Sequence, residues 1–101
     1  MTSPLDDLDP VLTAPKRLAA LAVLVHSAAT SFGFLRDHLQ ISDSDLSKQM
    51  SALVDAGYAT MNKQRGRGGS TTFTVTKAGR HAFDAHRRAL ERLVAGAESA
   101  H

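Results

Sequence analysis

The chain has 101 residues, 43% hydrophobic and 22% charged, with a formal net charge of +2, which suits one globular domain. It holds no cysteine, so disulfides, thiolate metal sites and cysteine nucleophiles are excluded. The acidic start MTSPLDDLDP lacks the basic and apolar regions of a secretory signal, and the longest apolar run, residues 18 to 25, is too short to span a bilayer; a cytoplasmic protein without a membrane partner is expected.

Residues 1 to 8 read as a loose arm. Asp9 can cap a first turn with Pro10 at its opening position, and a second start follows at Thr13 and Pro15. Leu18, Leu21, Ala22 and Val25 then recur at i, i+3, i+4, i+7, one apolar face of a helix. Ser31 and Phe32 read as a stub of strand. Gly33 to Leu39 reads as a short helix with Leu35 and Leu39 inward, followed by a tight connection.

The segment SDSDLSKQMSALVDAGY carries the clearest helix. Ser42 is an N-cap with Asp45 three residues on, a variant of the capping box. Leu46, Met50, Leu53 and Val54 form the apolar stripe, and Gly57 is a left-handed stop signal. Ser44, Ser47, Lys48 and Ser51 occupy the opposite side. YATMNKQR and TTFTVT then alternate, joined by about five glycine-containing residues, which is a β-hairpin. Thr76 caps a long final helix in which Phe83, His86, Leu90, Leu93 and Ala97 are spaced 3, 4, 3, 4, the seam of helices that pair.

Charge is unevenly spread. Residues 1 to 13 carry three acids and no base, whereas residues 58 to 72 carry Lys63, Arg65 and Arg67 and no acid. Basic residues beside glycines suit an anionic partner. The stretch QRGRGGSTTF is not a nucleotide-binding P-loop, because no lysine precedes Ser70 and both flanks are strands.

Two helices joined by a tight turn make a helix-turn-helix, and a hairpin directly after it makes a wing. On Leu46, Ser47, Lys48, Met50, Leu53, then Gly57 before Tyr58, then Thr76 and Gly79, the chain resembles the short winged-helix transcriptional regulators related to the MarR and ArsR families, over residues 9 to 95. The resemblance implies a mainly α fold with a small β-hairpin: a winged helix-turn-helix over 9–97, with a long C-terminal helix for dimerisation and a tail at 98–101.

It also implies a sequence-specific regulator of double-stranded DNA that acts as a homodimer. The helix at 43–56 would enter the major groove, with Ser44, Ser47, Lys48 and Ser51 toward bases or phosphates. The wing at 63–72 would place Arg67 in the minor groove and Lys63 and Arg65 on phosphates. Asp43 and Asp45 depart from a basic recognition helix: they favour the helix dipole but repel phosphate, or accept from cytosine N4. Leu12, Leu18, Phe83, His86, Leu90 and Leu93 would form the dimer interface.

Asp84 and His86 resemble half of the zinc site of ArsR-like repressors, but Ala97 and Ala100 stand where the other half belongs, with Glu98 and His101 poor substitutes, so no metal or cofactor is expected. No nucleophile sits beside a positioned base, so no catalytic residue is expected either. No separate ligand domain is expected in 101 residues, so any small-molecule effector would bind at the dimer interface or beside the helix-turn-helix. The rival readings are a winged-helix protein-interaction module without DNA binding and a metal- or ligand-responsive repressor.

Overall fold

The computed structural model describes residues 3–64 and 70–98. The elements follow the order α1 (Pro15–Val25), β1 (Thr30–Ser31), α2 (Phe32–Leu39), α3 (Asp43–Asp55), β2 (Ala59–Lys63), β3 (Thr71–Val75) and α4 (Lys77–Glu98), preceded by a single 3-10 turn at Pro4–Asp7.

That first turn replaces the expected loose arm. The Ser3 hydroxyl accepts from the Leu5 amide and the Asp6 carboxylate accepts from the Ser3 amide, a reciprocal cap that satisfies two end donors at once. The turn lies against α4, where Arg92 approaches Asp7 at 3.8 Å. Asp9 then accepts from the Val11 amide at 2.8 Å and turns the chain so that Leu12 enters the core. Thr13 does not start α1: its hydroxyl donates back to the Pro10 carbonyl, and α1 opens on Pro15 with no side-chain cap. Ala20, Leu21 and Leu24 are the buried residues of α1, while Leu18, Ala22 and Val25 are half-buried. The helix packs on α2, α3 and α4, so it is apolar around much more than one stripe.

The connection from α2 to α3 is set by backbone conformation. Gln40 takes the left-handed conformation at φ 55°, and the Ile41 amide returns to the Arg36 carbonyl at 3.3 Å. The Ser42 hydroxyl then caps α3 by accepting from the Asp45 amide at 3.1 Å. At the other end Gly57 has φ 81°. Its amide donates to the Val54 carbonyl while the Tyr58 amide reaches the Leu53 carbonyl, the paired bonds of a Schellman stop. Leu46, Met50 and Leu53 bury one face of α3.

The sheet has strand order β1-β3-β2 and is antiparallel throughout. Phe73 pairs with both Thr30 and Met61 and is buried beneath the helices. Thr76 joins the sheet to α4. Its hydroxyl accepts from the Gly79 amide at 2.9 Å and donates to the Gly57 carbonyl at 2.6 Å. Its own amide donates to the Tyr58 carbonyl. The first turn of α4 is thereby pressed onto the end of α3.

Candidate nucleic-acid interface

Burial of Leu46, Met50 and Leu53 turns the opposite side of α3 outward. Ser44, Ser47, Lys48 and Ser51 are all exposed there. Three are small hydroxyl side chains, so the helix presents a slim polar ridge rather than an apolar one. Beside it β2 and β3 rise as the hairpin. Lys63, the last residue of β2, is exposed near the start of the hairpin loop. Arg65 and Arg67 lie outside the described residues.

The two acids at the start of α3 are held by other helices. Asp43 pairs with Arg36 of α2 at 3.1 Å. Asp45 accepts from the Lys16 ammonium of α1 and from the Gln49 amide. These bonds, the Lys16 one first, hold the Asp45 carboxyl below its ordinary value against the opposing effect of burial. Asp45 therefore does not return to the Ser42 amide as a capping-box partner would. Its carboxylate is bonded within the domain, and Asp43 shares Arg36 with Asp37. Lys16 and Arg36 thus belong to the site's electrostatics. No local motif marked them, because Lys16 is 29 residues from the acid it meets.

Between α3 and the hairpin lies a notch of about 200 Å³. Ser47 and Ser51 of α3 and Lys63 and Thr71 of the hairpin line it, together with Phe32, Met61 and Phe73. Met61 is 49% exposed, whereas Phe73 is only 3% exposed.

The residues assigned to pairing separate into two groups. Leu18, Phe83 and Leu90 border an apolar groove of about 360 Å³ between α1 and α4. Leu93 is half-buried nearby, and Val94, one residue on, is 61% exposed. Leu12 and His86 are instead interior, at 0% and 2% exposure, and have no surface to offer a partner. The chain's own N-terminal turn covers that part of α4: His86 Nδ1 accepts from the Asp9 amide at 3.0 Å. His86 is thus engaged inside the fold, while Asp84 is bound to Arg87 and Arg88.

Tyr58, which follows Gly57, donates its hydroxyl to the Asp9 carboxylate. That bond, then burial, then the Asp9 charge push the Tyr58 hydroxyl up to about 12. One aspartate therefore links the end of α3 to the face of α4 that carries His86.

A model of the winged helix DNA-binding domain matches residues 16–94. No curated protein matches the chain. Among solved structures, the transcriptional regulator homologue protein from Pyrococcus horikoshii OT3 is similar with a TM-score of 0.80 at 19% identity, covering 85% of this chain and 86% of that one. M. tuberculosis Rv0081 gives 0.71 at 23% identity, covering 85% and 84%. A variant of Lactococcus lactis ZitR solved in complex with DNA gives 0.64 at 12% identity, covering 84% of this chain and 57% of that one. These likenesses show a shared fold. The matched span takes in the helix-turn-helix, the hairpin and most of α4, and the chain belongs to the winged helix DNA-binding domain family.

Proposed function

We propose that the protein is a sequence-specific regulator of transcription that binds double-stranded DNA as a cytoplasmic homodimer, and that it is a binding protein rather than an enzyme. The observation that carries this reading is the outward face of α3: Ser44, Ser47, Lys48 and Ser51 are exposed, and both nearby acids are matched by cations of other helices. A slim polar helix fits the major groove and reaches base edges with its first turns. An interaction module would show large apolar side chains there instead. The ZitR variant bound to DNA lends the reading support from the same fold.

In this reading the hairpin lies along the backbone. Lys63 and Arg65 meet phosphates, and Arg67 enters the minor groove, which is most negative where it is narrow. Two copies read half-sites about 10 bp apart, joined along Leu18, Phe83, Leu90 and Leu93.

The test is a mobility shift on duplex DNA at low and high salt, followed by selection of bound sequences from a random duplex pool. The expected result is a shift that weakens steeply with salt and a selected site with two-fold symmetry. Failure to shift any duplex at low salt would exclude DNA binding. A shift without sequence enrichment would leave binding but remove specificity.

A further inference from the structure

We propose that Met61 is an oxidation site that tunes DNA binding: a peroxide converts its thioether to the sulfoxide, whose oxygen engages the Lys63 ammonium and withdraws it from phosphate. This rests on the DNA reading above and adds regulation to the same surface. The chain has no cysteine and no tryptophan, so methionine sulfur is its most readily oxidised group. Of its three methionines, Met1 lies outside the described residues, Met50 is 2% exposed in the core, and Met61 is 49% exposed.

Ala59, Met61 and Lys63 alternate along β2 and so share one face of the strand. Ala59 is buried, but the cover on that face ends before Met61. Phe73, opposite Met61 in the register of the hairpin, and Phe32 line the notch with it, an aromatic setting that suits a thioether. Ser47, Ser51 and Thr71 add hydroxyls, Lys63 adds the one ammonium among the lining residues, and no acid lines the notch. The sulfur is therefore within reach of water and two residues from a cation that no carboxylate of the notch holds.

In the reaction a sulfur lone pair attacks one peroxide oxygen. The O–O bond breaks as the S–O bond forms, sulfur gives up two electrons, and the leaving hydroxide takes the remaining proton to become water. An apolar side chain becomes a polar one with an acceptor oxygen. Lys63 is the charged donor beside it, and charge-assisted hydrogen bonds are stronger than those from the neutral hydroxyls. Methionine sulfoxide reductases reverse the change.

The experiment treats the full chain with hydrogen peroxide, locates the added oxygen by peptide mass spectrometry, and measures affinity for a selected duplex by fluorescence anisotropy. Met61 is expected to gain oxygen well before Met50, and the oxidised protein to bind about 5-fold more weakly. Reduction by a methionine sulfoxide reductase should restore both the mass and the affinity. Met61→Leu should show the same affinity before and after treatment. Lys63→Ala should be indifferent to oxidation of Met61, because the group that the sulfoxide engages is gone. Oxidation of Met50 first, unchanged affinity once Met61 carries oxygen, or the same fold loss in Lys63→Ala overturns the proposal while leaving DNA binding intact. Absence of binding to any duplex by the untreated wild type removes both readings.

Discussion

Gly79 shows how one missing atom sets the position of an element. A Cβ built at Gly79 would lie 2.1 Å from the Tyr58 carbonyl oxygen and 2.9 Å from its carbonyl carbon. Both are backbone atoms, held by the Thr76 amide that donates to that same carbonyl at 3.1 Å. No side-chain rotation relieves such an overlap, so α4 has to move away from the end of α3. Gly79→Ala is expected to cost about 2–4 kcal/mol, read as a lower denaturation midpoint. Gly96, on the same helix, has nothing within 4 Å of its would-be Cβ, and Gly96→Ala should be neutral or stabilising by up to about 1 kcal/mol. Equal midpoints for Gly79→Ala and the wild type would contradict the close approach. The threonine and glycine of the T-x-x-G motif thus have separate tasks: Thr76 supplies the cap, and Gly79 supplies the room.

Among the elements, the Tyr58–Asp9–His86 chain of hydrogen bonds joins the stop of α3, the N-terminal turn and α4. The raised Tyr58 hydroxyl means that the fold favours the neutral phenol. Its contribution to stability is complete below the ordinary value of 10.0 and is lost as pH climbs to about 12. Tyr58→Phe is therefore expected to lower stability by about 1–2 kcal/mol near neutral pH and to flatten the alkaline fall between those limits. A variant with the wild-type alkaline profile would show that another group titrates there. The α3 cap, its apolar stripe, its glycine stop and the alternating strands could all be read from the sequence, because each is set by residues within a turn or two of one another. The N-terminal turn could not. Asp9 and His86 are 77 residues apart, and a 3-4 apolar spacing looks the same whether the chain's own arm or a second molecule covers it. Leu12 precedes α1 and is buried by the way that same N-terminal segment folds back, which no local pattern shows. The serine ridge at Ser44, Ser47 and Ser51 was legible from periodicity, but the notch beside it, made from four elements, was not.

Across the whole molecule, the shape is long for its mass. Its extents are 60 × 26 × 20 Å and its radius of gyration is 15.5 Å, against about 13 Å for a compact domain of this length. Leu90, at the edge of the groove bordered by Leu18 and Phe83, also borders a second apolar patch with Val94 further along α4. In the dimer we propose, a second copy covers that apolar line. Leu90→Asp combined with Val94→Asp is then expected to give a monomer in sedimentation at micromolar concentration and to weaken binding to a two-fold site at least ~10-fold. A wild type sedimenting at 10.8 kDa under those conditions would contradict pairing. The ion pairs at the start of α3 carry a further consequence. Taken alone, Asp43–Asp55 holds three aspartates and one lysine, a net charge of −2, and would be repelled by a polyanion. Lys16 and Arg36, from two other helices, offset the two acids at its start, Arg36 being shared with Asp37. In the DNA reading proposed above, that surface is consequently not portable: transplanted into another scaffold without those two cations, the same helix would keep its shape but meet a polyanion less favourably.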